Sequence, residues 1–269
     1  MQPILNIAIT AATQAGKIIN QYVDRVDSVR VMEKSRNDFV SEVDRLAEQV
    51  IIENISKAYP DHGILAEESG VQGSGDYQWI IDPLDGTANF LRGFPQFAVS
   101  IAVKHKHKIV AGVVYDPTLH ELYTAISGKG ARLNNRRIRV SKTLELSKSL
   151  IGTGFPFKHP EAIAPYMPIF KDIMSQSSGI RRAGAAALDL AYVAAGRLDG
   201  FWEDGLSAWD MAAGALLIEE AGGIVTDYDN QKQYLSSGNL VCGNNKTHAQ
   251  LLGIIQQHKS NTISTEEND

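Results

Sequence analysis

The segment Trp79-Ile80-Ile81-Asp82-Pro83-Leu84-Asp85-Gly86-Thr87-Ala88-Asn89-Phe90 restricts the architectures open to this chain more than any other. An apolar run that breaks into two carboxylates, a proline and Gly-Thr reads as a buried strand entering a turn, with a helix starting near the glycine. Pro83 has no N–H and disfavours the helical region for Asp82, so the strand is expected to stop with the Asp82 carboxylate at its end. The Leu84 carbonyl oxygen then falls between two acidic side chains. Hard cations such as Mg2+ take oxygen ligands and keep waters and a substrate phosphate, so carboxylate, carbonyl and carboxylate in this order make a metal half-site. Gly86 permits close approach of the backbone to a ligand, and the first amides of the next helix point at an anion. The same residue types also build a plain polar turn, so the reading needs support from elsewhere.

Gly63-Ile64-Leu65-Ala66, a short apolar strand, runs directly into Glu67-Glu68-Ser69, and the polar residues 69–76 beyond it are expected to form a mobile loop. Two strand ends that each deliver carboxylates imply neighbouring strands of one sheet and strengthen the metal reading. Upstream, Ile4, Ala8, Ala11, Ala15, Ile18, Ile19 and Tyr22 keep helical spacing, and a second helix is expected from about Ser41 to Ala58. Asp44 falls in its first turn, where a Ser41 cap and the helix dipole account for it without chemistry.

Strands are expected at Val99–Val103, Ile109–Tyr115 and Glu121–Ala125, with His105 and His107 in a solvated hairpin turn and Arg136–Val140 on an edge strand. A polar stretch at 141–149 marks a boundary, which divides the chain into 1–145, 146–260 and a fraying tail at 261–269. Further on, a strand is expected over Ser149–Gly154, helices over 161–176 and Gly184–Ala195, and a strand at Gly200–Glu203. The alanine content of Gly184–Ala195 requires something very close against that helix. Ser207 and Asp210 form a capping box at the head of a helix reaching Glu220, which explains both residues locally.

The 269 residues, 43% of them hydrophobic, suffice for a sizeable core. A net charge of -5 argues against a protein whose main task is coating nucleic acid. The single cysteine, Cys242, excludes an intramolecular disulfide and reads as a small buried hydrophobe. With no apolar stretch long enough to cross a bilayer and no signal-peptide pattern, the cytoplasm is the expected compartment and no membrane partner is expected.

Taken together, Glu67-Glu68-Ser69, Asp82-Pro83-Leu84-Asp85-Gly86-Thr87 and Trp209-Asp210 followed by Glu219-Glu220-Ala221-Gly222-Gly223 closely resemble the inositol monophosphatase family, from Ile4 to about Ile255. The stretches Gly154-Phe155-Pro156-Phe157 and Ile180 to Tyr192 look like its bacterial SuhB branch. This resemblance implies a mixed α/β chain folded as a layered αβαβα sandwich, and a Mg2+-dependent, lithium-sensitive phosphomonoesterase acting on an inositol or sugar monophosphate. It implies two to three Mg2+ ions per site. Glu67, Asp82 and the Leu84 carbonyl would hold the first, Asp82, Asp85 and Asp210 the second, and a weaker third would lie near Glu67. By the same resemblance Asp44 bonds the Thr87 hydroxyl to activate water, Gly86 and Thr87 amides hold phosphate, and Asp85, Ala186, Glu203 and Lys34 lie at the substrate. A homodimer is the family expectation. The SuhB branch is also associated with ribosomal RNA transcription antitermination, which implies NusA and RNA polymerase as partners, with Arg181 and Arg182 as the candidate surface. Ala66, Ala88 and Ala185 depart from residues common in the family, which bears on fine substrate preference and not on the ligands.

Overall fold

The computed structural model describes all residues except 36, 37, 158 and 267–269, and the side chains of 27, 28, 33–40 and 260 onward lie outside the description. The chain runs through α1 (Gln2–Tyr22), the hairpin β1 (Val31–Ser35) and β2 (Asp38–Ser41), α2 (Glu42–Ala58), β3 (Gly63–Ala66), β4 (Gly70–Gln72), β5 (Tyr77–Asp85) and the single turn α3 (Thr87–Phe90). Strands β6 (Ala98–His105), β7 (Lys108–Asp116), β8 (Glu121–Ile126), β9 (Gly130–Leu133) and β10 (Arg136–Arg137) follow. The remainder is β11 (Leu150–Thr153), α4 (Ile163–Gln176), β12 (Gly179–Arg181), α5 (Ala186–Ala194), β13 (Gly200–Glu203), α6 (Ala208–Glu220), β14 (Ile224–Thr226), α7 (Tyr234–Ser237), β15 (Leu240–Gly243) and α8 (Asn245–Glu266).

These elements stack in five layers. Helices α1 and α2 place Ile4, Ala8, Ala11, Ile19, Val43, Ala47 and Ile51 against Trp79, Ile81, Val99, Ile101 and Val103 on one face of an eight-stranded sheet. The opposite face of that sheet presents Ile80, Ala98, Ala102 and Val114 to α5 and α6. A five-stranded sheet covers α5 and α6 from the other side, and α4 with α8 closes its outer face through Ile151, Trp202, Tyr166, Ile173 and Leu251. Because β5 is covered on both faces, it reads as a continuous apolar run instead of an alternating one. The αβαβα sandwich follows from which faces are apolar.

The alanine-rich stretch does lie against a close neighbour. A methyl group added at Gly214 of α6 would come within 2.5 Å of Leu190 Cβ on α5. Small side chains let these two helices and both sheets share one thin middle layer.

Four expectations change in the structure. Strand β5 does not stop at Asp82. It continues to Asp85 with Asp82 opposite Ser100 and Asp85 opposite Ala98, so one extra residue is taken up in a bulge where Pro83 has no ladder bond to give. Residues 70–72, expected in a mobile loop, form β4, which pairs antiparallel with the outer edge of β3. The basic edge strand is cut to Arg136 and Arg137. The last helix, α8, reaches Glu266, so residues 261–266 of the expected fraying tail are helical, and 267–269 lie outside the described residues. His105 stacks on Tyr77 with ring centroids 4.3 Å apart, so this hairpin histidine packs against an aromatic face.

Candidate active site

Parallel pairing of β3 with β5 sets the site. Ala66 sits opposite Ile81, and Glu67 N–H donates to the Ile81 carbonyl at 3.1 Å, which brings Glu67 beside Asp82 at the same end of the sheet. The bulge then turns Asp85 back toward that corner. Asp210 arrives from the first turn of α6, whose start is tied to β6 by Ser100 Oγ donating to the Trp209 carbonyl at 3.0 Å. As a result Asp82, Asp85 and Asp210 each offer an oxygen within 4.8 Å of the others.

Backbone amides fix the three carboxylates. Leu84 N–H donates to Asp82 at 3.0 Å, Ala187 N–H to Asp85 at 2.7 Å, and Ser207 N–H to Asp210 at 2.7 Å. The capping contact at Asp210 and the ligand geometry therefore coexist. Asp82 is buried, and burial, reinforced by repulsion from Glu67, Asp85 and Asp210, pushes its carboxyl well above the usual range. Asp85 shifts the same way, through burial and then Asp210, against the pull of the Ala187 amide. Crowded oxygens that resist ionisation together are the donor set a hard divalent cation satisfies, so these residues fit a metal.

Asp44 lies fully buried at the head of α2. It accepts the Thr87 hydroxyl at 2.8 Å, the Ser41 N–H at 2.8 Å and a very short bond from the Ser41 hydroxyl. Burial raises its pKa against these hydrogen bonds. Thr87 Oγ1 is also 3.1 Å from the Leu84 carbonyl, so its single proton has two acceptors. Glu48, one turn further along α2, accepts the Glu68 N–H at 2.9 Å and steadies the strand end that carries Glu67. Gly86 adopts φ 92°, and a methyl group there would come within 2.8 Å of the Gln96 carbonyl. The turn therefore requires glycine.

Glu67, Asp82, Leu84, Asp85, Gly86, Thr87 and Asp210 line a cleft of about 680 Å³ that also receives Phe155, Phe157, Arg182, Ala186, Asp189 and Glu203. Glu203 approaches Gly154 so closely that any side chain at 154 would overlap its carboxylate. Burial, then Asp189 and Asp210, push the Glu203 carboxyl well up, with Arg182 opposing. The structure thus gathers Asp44, Glu67, Asp82, Leu84, Asp85, Gly86, Thr87, Ala186, Glu203 and Asp210 around one corner. The Lys34 side chain lies outside the described residues. Arg181 is exposed on β12, with its guanidinium on the Ile180 carbonyl at 3.0 Å, whereas Arg182 faces the cleft. Both arginines are exposed, and Arg182 lines the cleft as well.

The inositol monophosphatase family model matches residues 1–260. The chain belongs to the inositol monophosphatase family. It is 53% identical over 264 residues to the Nus factor SuhB of Pseudomonas aeruginosa, covering 96% of this chain and 97% of that protein. Among solved structures it resembles the extragenic suppressor protein suhB of Bartonella henselae, with a TM-score of 0.92 and 45% identity over 94% of this chain and 98% of that one. The inositol monophosphatase of Anabaena matches at a TM-score of 0.81 and 39% identity, over 95% and 96% of the two chains.

Within this cleft, Asp189 is the residue to which the motif reading gave no role. It is 2% exposed on α5, and burial pushes its carboxyl up to about 8, with Arg182 pulling it down. The available signal was a lone acid in a helix otherwise built of Ala, Leu, Tyr and Val.

Proposed function

We propose that this protein is a Mg2+-dependent phosphomonoesterase that hydrolyses inositol monophosphates. The observation that carries it is the convergence of Asp82, Asp85 and Asp210 beside the Asp44–Thr87 pair. Glu67, Asp82, the Leu84 carbonyl, Asp85 and Asp210 would hold the metal, which when bound supplies charge neutralisation and acidifies water. Thr87 donates its proton to Asp44 Oδ1, which leaves its oxygen lone pairs to accept from an attacking water. Asp44 can thus draw a proton by way of Thr87. Amides of Gly86 and Thr87 at the start of α3 orient phosphate oxygens, while Asp85, Ala186 and Glu203 meet hydroxyls of the leaving alcohol. The name of the Anabaena relative favours inositol monophosphate as the substrate.

The test is phosphate release from inositol 1-phosphate with and without Mg2+, repeated with Asp85→Asn and Asp210→Asn. Mg2+-dependent turnover that falls at least about a hundredfold in each variant is expected, since each substitution removes a charged ligand. Full activity in either variant would remove the ligand assignment.

A second reading is favoured by the relative that is named a Nus factor. In it the chain acts, as a homodimer, with NusA and RNA polymerase in transcription antitermination, with or without turnover. Co-purification of the wild type and of Asp85→Asn with NusA and polymerase from the same cells tests it, and sedimentation velocity tests the dimer. Loss of association in both proteins would reject this role.

A further inference from the structure

Among the described residues, Arg182 is the one arginine or lysine that lines the cleft, alongside several acids. The guanidinium carbon of Arg182 lies 5.1 Å from the Phe157 ring centroid and 5.8 Å from that of Phe155. The two rings meet edge to face, 5.6 Å apart at 90°. Phe155 in turn packs edge-on against Tyr166 and Phe170, and Tyr166 stacks on the fully buried Trp202 while its hydroxyl lies 2.9 Å from Thr153 Oγ1. This wall is anchored in the outer core of the five-stranded sheet. An arginine held by aromatic faces keeps the N–H donors around its edge available to a ligand.

Among the described residues Arg182 forms no close ion pair, and its charge acts at longer range on Asp189 and Glu203. A neutral polyol leaves such a cation unmatched. A phosphate matches it, because the planar fork of guanidinium donors fits two phosphate oxygens.

We propose that Arg182, held by Phe155 and Phe157, forms a second anion subsite that recognises an additional phosphate on the same substrate whose scissile phosphate lies at Asp82, Asp85 and Asp210. The preferred substrates are then bisphosphorylated polyols. This inference rests on the phosphatase reading above.

The test compares kcat/KM of the full chain, with Mg2+, on myo-inositol 1-phosphate and myo-inositol 1,4-bisphosphate. Arg182→Gln is expected to lower the bisphosphate to monophosphate ratio at least tenfold, mainly through KM. Arg182→Lys, which keeps the charge and loses the fork, should recover part of that ratio. Phe157→Leu, which removes one ring, should lower it by a smaller factor. Equal losses on both substrates would mean that Arg182 only balances Asp189 and Glu203, and an unchanged ratio would mean that it meets no ligand. Either result overturns the subsite and leaves the phosphatase intact, as does wild-type activity confined to the monophosphate. A wild type that releases phosphate from neither compound removes both.

Discussion

Replacing Asp189 by asparagine should make the metal-free protein more stable, by an amount that depends on pH. The side chain is 2% exposed, and burial raises its pKa from the usual carboxylate range to about 8. Below pH 4 both folded and unfolded chains carry the proton, and the group contributes nothing to the pH dependence. Between about pH 4 and 8 the unfolded carboxyl ionises while the folded one stays protonated, so unfolding releases a proton and stability falls by about 1.4 kcal/mol per pH unit. Above pH 8 both forms are ionised and the penalty levels off. At pH 7 the cost of keeping Asp189 in the fold is about 4 kcal/mol. Asparagine has almost the same shape and nothing to ionise, so the variant should gain up to that amount at pH 7 and little at pH 4. Urea denaturation of both proteins at pH 4, 5, 6, 7 and 8, in chelator, reads the difference directly. A difference that stays constant over this range, or a wild type that gains on the variant as pH rises, would show that Asp189 is not a buried acid held neutral.

Other expectations are sharper in activity than in stability. Thr87→Val removes the hydroxyl that donates to Asp44 at 2.8 Å and should lower kcat by about a hundredfold with KM little changed, as loss of a general-base contact does. Ser41→Ala deletes the α2 cap and one donor to Asp44, so thermal denaturation should show a loss of about 1 kcal/mol together with reduced turnover. Gly154→Ala places a methyl group on the Glu203 carboxylate, and the displaced side chain should appear as a higher KM for hydroxylated substrates at near-wild-type affinity for inorganic phosphate. Gly214→Ala drives a methyl group into Leu190 and should cost about 1–3 kcal/mol by urea denaturation.

Much of the local structure was legible because it is written in short-range chemistry. The apolar stripe of α1, the Ser41 and Ser207 caps, the β6–β7–β8 meander and the alanine-rich close packing each depend on residues a few positions apart. The Asp82 segment was legible as a site for the same reason, since proline and glycine limit what the backbone there can do. Misreadings fell where a partner strand decides the outcome. Pro83 ends a strand in isolation, yet β6 supplies enough pairing on either side for a bulge to carry the strand to Asp85. The Gly-Val-Gln segment at 70–72 is too short to signal a strand by itself, and the edge of β3 recruits it.

Sequence alone determined the kinds of groups present: carboxylates at strand and helix ends, a capped Asp44, a glycine turn and the family those motifs define. Only the tertiary structure decided which of those groups share a cleft, because Glu67 meets Asp82 through parallel β3–β5 pairing and Asp210 joins them through the docking of α6 on β6, contacts between residues far apart in the chain. It also decided the state of Asp189 and the outlook of Arg182. Burial and orientation belong to the packed layers, and no stretch of neighbouring residues encodes them.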